Sequence, residues 1–159
     1  MVLAAKLVDA LKAIVGAENV LTDAFDLSLY DADAETLDTA SPDLVVLPAS
    51  TEEVAAVVKA VATLAPTLPV TARGAGTGLS GGATCVRGGL SLVLTRMNKV
   101  LHIDAAERAA LVQVGATNVS VSRQAEPHGL YFAPDPSSQI ASTIGGNIAE
   151  NAVVTHKLK

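Results

Sequence analysis

The chain has 159 residues, half of them hydrophobic, and a formal net charge of −5. That length fits one domain with room for a real core, while scattered Lys and Arg and the absence of Trp argue against nucleic acid as a partner. No apolar run approaches the ~20 residues of a membrane span, and the single cysteine, Cys85, excludes an internal disulfide framework and suits a reducing cytoplasm.

Leu3, Leu7, Leu11, Ile14 and Val15 recur at helical spacing, and Gly16 stands where a C-cap glycine belongs. Residues 1–12 lack signal-peptide architecture. Residues 17–41 are polar, Asp-rich and aperiodic, so a surface connector with at most a short helical turn is expected there. Residues 44–47 form a short apolar strand closed by Pro48. Ser50 or Thr51 then caps a helix with Glu52 and Glu53 in its first turn, lined by Val54, Val57, Val58 and Val61 and ending before Pro66. Residues 69–72 form a second strand, and this strand–helix–strand order predicts a parallel pair joined by a right-handed crossover. Further strands are expected at 90–94, 100–103 and 110–114. Thr117 caps a helix reaching about Glu126, stopped by Pro127, His128 and Gly129. Pro134, Asp135, Pro136, Ser137 and Ser138 make a rigid polar turn, and the segment from Thr143 to Asn151 opens another helix at Gly145 and Gly146.

The most informative stretch runs from Arg73 to Gly82: Arg73, Gly74, Ala75, Gly76, Thr77, Gly78, Leu79, Ser80, Gly81, Gly82. Such a loop can turn successive N–H groups inward to form an anion-binding concavity, with Arg73 as a fixed charge beside it and Thr77 and Ser80 as hydroxyl donors. A pyrophosphate is its natural guest. Residues 76–81 also satisfy G-x-G-x-x-G, but a Rossmann site needs a helix opening within the glycines and an acidic residue ~20 positions on. Neither is present. A plain solvated linker is disfavoured by the apolar flanks and by the lack of Glu, Lys and Pro. Gly145, Gly146 and Asn147 suit either close packing or an anion at a helix start. His102 reads as an ordinary strand histidine, His128 as part of a helix stop, and Cys85 as a small buried hydrophobe. No two histidines have metal-ligand spacing, so no metal site is expected.

Three strings carry a resemblance: DLVVLPASTEEVAAVV, RGAGTGLSGG and PHGLYFAPDPSSQIASTIGGNIAEN. Together with residues 95–100 they resemble FAD-linked oxidases with the vanillyl-alcohol-oxidase (PCMH) type of FAD-binding domain. Within that group they are similar to the glycolate oxidase flavin subunit and the D-lactate and D-2-hydroxyacid dehydrogenases. The resemblance spans nearly the whole chain in the family's order. It implies an α+β fold comprising the first FAD subdomain and the start of the second. Residues 1–42 would be an N-terminal helix and connector, and 43–159 an FAD-binding domain incomplete at its end and lacking the substrate domain. It also implies that residues 73–82 wrap the FAD pyrophosphate, while Pro134, Asp135 and Ser137 lie along the dinucleotide. Ser142, Thr143, Gly145, Gly146 and Asn147 would contact the flavin or its ribityl chain, with Glu150 and Asn151 near by. Some relatives tether FAD through a histidine in the glycine loop; this loop has none, which implies noncovalent FAD.

In a longer intact parent, the implied activity is oxidation of a 2-hydroxy acid by hydride transfer to flavin, with the substrate-binding groups beyond residue 159. No side chain here stands out as a catalytic base, so no catalytic residue is assigned. Partner oxidase subunits or self-association remain open, as does membrane association through such partners. Where the family continues with paired glycines after Ala-Glu-Asn, this chain reads Ala152, Val153, Val154, Thr155 and His156, which puts the backbone around the flavin in question. The rival reading is a truncated, noncatalytic module, with or without flavin, that packs or self-associates through an exposed apolar face.

Overall fold

The computed structural model describes residues 5–35, 37–134 and 136–152. Expectations resting on Asp135, and on the departure at residues 153–159, lie outside the described residues. Helix α1 (Ala5–Val15) buries Leu7, Leu11 and Val15, the stripe its sequence periodicity marks. It packs on α3 (Thr51–Leu64), which buries Val57 and Val61. Ser50 is the N-cap of α3: its Oγ accepts from Glu53 N–H at 3.2 Å, while the Glu53 carboxylate accepts from Ala49 N–H at 2.7 Å. Donors at the exposed helix start are thus satisfied from both directions.

The main sheet contains β1 (Val20–Leu21), β2 (Leu44–Val46), β3 (Val70–Arg73) and β4 (Leu90–Val93), in the order β1-β2-β4-β3. β1 runs antiparallel to β2, whereas β2, β4 and β3 are mutually parallel. Every residue of β2 and β4 is buried, as expected of central parallel strands covered on both faces. Leu44, Val46, Leu90 and Leu92 join the α1 and α3 side chains on one face. Val45 and Val93 meet Leu27 on the other, with Leu21, Tyr30 and Leu47 packed around them.

Two expectations need correction. β2 and β3 are parallel but not neighbours, because β4 lies hydrogen-bonded between them. The fully buried β4 takes the centre, and the more exposed β3 takes the edge. Residues 17–41 are also more than a surface connector. They supply β1 and a short helix α2 (Ala24–Ser28) capped by Asp23, and they bury Val20 and Leu27.

A second, smaller layer follows. β5 (Val100–Asp104) and β6 (Ala109–Val112) form an antiparallel hairpin, and α4 (Asn118–Ala125) packs against β5. Thr117 caps α4 by accepting from Ser120 N–H at 3.2 Å. Helix α5 (Ile144–Ala149) has Thr143 as its cap, accepting from Gly146 N–H at 3.2 Å. The α5 entry is pinned to the strand exit: Ile144 N–H donates to Ala116 O and Gly145 N–H to Val114 O, both at 2.8 Å. The architecture is α+β, as the sequence implies. Among the described residues, no helix is long and apolar enough to cross a membrane.

Candidate functional site

The glycine loop leaves the end of edge strand β3 and crosses toward α5. Their meeting point is intimate: a methyl group added at Gly74 would stand 2.5 Å from Thr143 Oγ1. Between them lies a cavity of about 310 Å³, lined by residues that the sequence places far apart. That volume is at the lower end of small-molecule pockets, typically ~300–1,000 Å³.

Of the predicted site residues, Arg73, Gly74, Ala75, Gly76, Thr77, Gly78 and Gly82 line the cavity from the loop side. Ser142, Thr143, Gly145, Gly146, Asn147 and Glu150 line it from the α5 side. Leu79, Ser80, Gly81, Pro134, Ser137 and Asn151 do not form its wall, although Ser80 closes its rim by donating from Oγ to Glu150 Oε2 at 2.5 Å. The wall also takes in Ala72, Ala83, Leu94, Val114 and Ala152, which no motif announces, and Ser138 and Ala149 from the last of the three strings. They come from strand ends, loop exits and the end of α5, which only the tertiary fold brings together.

Arg73 behaves differently from a free charge beside an anion. It is 7% exposed; Nη2 donates to Ala32 O at 2.7 Å and Nη1 to Ala83 O at 3.4 Å, and the guanidinium lies 5.6 Å from the Tyr30 ring centroid. The residue thus braces both ends of the glycine loop against the segment after α2, and its positive charge remains at the cavity wall. Gly76 completes this arrangement. It adopts φ +70°, and a Cβ there would collide with the Arg73 guanidinium.

Ser142 is 3% exposed, lines the cavity, and its Oγ has no hydrogen-bond partner among the described residues. A buried hydroxyl of this kind is costly unless something satisfies it. The site therefore offers a glycine-lined wall open to close backbone approach, a cationic brace and an orphan hydroxyl. This set fits a phosphate-bearing dinucleotide cofactor. Cys85, by contrast, is buried away from the cavity wall, and His102 and His128 are exposed.

Comparison with known proteins gives the group a name. The FAD binding domain family matches residues 42–159. The chain belongs to that family. It is 48% identical over 130 residues to the glycolate oxidase subunit GlcD of Escherichia coli (strain K12), an alignment covering 82% of this chain and 26% of GlcD. With the D-lactate dehydrogenase of Anaerostipes hadrus it shares 44% identity over 113 residues, covering 71% of this chain and 23% of that protein. Among solved structures, an alkyldihydroxyacetonephosphate synthase superposes with a TM-score of 0.82 at 28% identity, over 92% of this chain and 29% of the synthase. The chain thus spans about a quarter of the length of the curated relatives it matches. FAD is the cofactor of this domain, and the fold is that of the PCMH-type flavoproteins.

Proposed function

We propose that the chain is the cofactor-binding part of a flavoprotein oxidoreductase acting on a 2-hydroxy acid of the glycolate or D-lactate type. The carrying observation is the single cavity in which the glycine loop and the α5 entry meet around the unpartnered Ser142 hydroxyl. The names of the relatives supply the substrate class. FAD, when bound, supplies the hydride acceptor for oxidation of the hydroxy acid.

The chain's own residues bind and orient. Gly74, Gly76 and Gly78 let the diphosphate approach the backbone, and Arg73 both braces that loop and offsets the phosphate charge. Thr77 adds a hydroxyl. Ser142, Thr143, Gly145, Gly146 and Asn147 form the opposite wall for the flavin and ribityl portion. Glu150, held by Ser80, ties the two walls together at the rim. Pro134, Asp135 and Ser137 would lie along the dinucleotide, and Asn151 near the flavin portion. Residues 73–82 contain no histidine, which supports noncovalent attachment. No group of this chain is assigned a proton-transfer role. GlcD is named a subunit, and this supports partner subunits around the whole protein.

A second reading, a binding module without activity of its own, draws on exposed apolar residues such as Leu101, Leu111, Ile140 and Ile148. A visible-absorbance titration of the purified chain with FAD tests the cofactor role. Micromolar binding with a perturbed flavin band is expected, and no binding would overturn it. Glycolate- or D-lactate-dependent dye reduction by the protein extended to its relatives' length then tests the activity.

A further inference from the structure

The most completely buried polar side chain at the seam belongs to Asn118, and the cavity wall does not include it. It is 1% exposed at the first position of α4, and its amide joins two other segments. Nδ2 donates to Pro134 O at 3.2 Å, while Oδ1 accepts from Asn147 Nδ2 at 2.6 Å. The orientation is forced by chemistry. A main-chain carbonyl can only accept, so Asn118 must turn its NH2 toward Pro134 and its oxygen toward Asn147. Asn147 must then answer with its own NH2. Its Oδ1 has no partner among the described residues and is not a buried orphan, and the residue lines the cavity.

We propose that Asn118 is a positioning residue that fixes the polarity of Asn147, so that Asn147 offers the cofactor an acceptor. The inference rests on the reading of this cavity as the FAD site. An acceptor at that wall suits a donor of the cofactor, either the flavin ring N–H or a ribityl hydroxyl, and is unsuited to a phosphate. Without Asn118, the Asn147 amide has no fixed orientation and can present NH2 to the same donor, which is repulsive. The Pro134 turn loses its tether to α4 at the same time.

The test is a double-mutant cycle in FAD affinity on the whole chain, using N118L, N147A and the double variant. Leu matches Asn in shape and removes both of its hydrogen bonds; N118S serves instead if N118L shows no cooperative melt. Each single variant is expected to lower FAD affinity about tenfold and to shift the bound flavin band. The double variant is expected to bind no more weakly than the weaker single. Repeating the cycle with FAD methylated at the ring N–H separates the two donors. The cost of N147A vanishes if the ring donates and persists if a ribityl hydroxyl does.

An N118L variant that melts lower but binds FAD within twofold of wild type would overturn the proposal, leaving Asn118 a purely structural residue. Multiplicative losses in the double variant would overturn it too. If the unsubstituted chain binds no FAD, the cavity reading fails first and the inference falls with it, an outcome distinct from the other two.

Discussion

The parallel-sheet half and the hairpin half of this molecule are held together in different ways. In the first, β2 and β4 are buried on both faces, and α1 and α3 close one side with leucines and valines that exclude water almost completely. In the second, β5 and β6 leave most of their residues exposed, with Leu101 and Leu111 more than half accessible. Its buried residues are mostly small or polar: Ala116, Asn118, Ala125, Ser142 and Thr143, with Val121 beside them. Stability is therefore concentrated in one half, and the cavity between the glycine loop and α5 lies along the seam with the other. A seam lined largely by glycines, alanines and hydroxyl side chains contributes little burial energy. It can be shaped for a ligand because the sheet beside it carries the fold.

This contrast breaks first in the core. Leu44 is fully buried between the sheet and its helices, so Leu44→Ala is expected to cost about 2–5 kcal/mol, a large share of a typical domain's stability. Leu111→Ala, on the exposed hairpin, should stay within ~0.5 kcal/mol. Urea denaturation followed by circular dichroism checks both; equal losses would mean that the two halves share one core. At the seam the order reverses. Gly76→Val forces a β-branched residue into φ +70° and drives it into the Arg73 guanidinium, so FAD binding is expected to vanish. Unchanged affinity in a flavin titration would remove the loop from the site. Ser142→Ala deletes a hydroxyl with no protein partner, so the melting temperature should hold or rise. FAD affinity should meanwhile fall roughly fivefold, the worth of one hydrogen bond of about 1 kcal/mol.

The parts legible from sequence were those set by local chemistry. Thr117, and Ser50 of the pair Ser50 and Thr51, announce their helices because a cap is a short-range contact, and both make the expected bond, while the Thr143 cap of α5 emerges only in the structure. The Leu and Val runs of β2 and β4 announce burial. The strand order was not legible, because periodicity says that a strand exists and not which neighbour it takes. β1 escaped for a simpler reason: two residues are too few to show a period, and the segment's average polarity hides Val20 and Leu27. Arg73 was recognisable as a site residue, but its bracing of Ala32 and Ala83 depends on a segment 41 residues away. Asn118 carried no signal at all. A polar residue just after a cap is ordinary, and its importance comes from being enclosed by two segments that follow much later.

The smallest effects belong to the start of α3, which sharpens the comparison because no residue of that helix lines the cavity. Ser50→Ala removes the cap and should cost about 1 kcal/mol while leaving FAD affinity unchanged. Glu52, in the same turn, has its pKa held below the usual carboxylate value, first by its own backbone N–H and then by the Ser50 side chain. A carboxyl whose folded-state pKa is depressed contributes stability above its unfolded pKa and loses it as pH falls through the folded value. The wild type should therefore exceed Glu52→Gln slightly in melting temperature at neutral pH, with the gap closing in acid. The carboxyl is fully exposed, so added salt should narrow the gap as well. A gap that persists unchanged at acid pH would show that the substitution acts through packing or helix propensity and leaves the helix-start charge without a role.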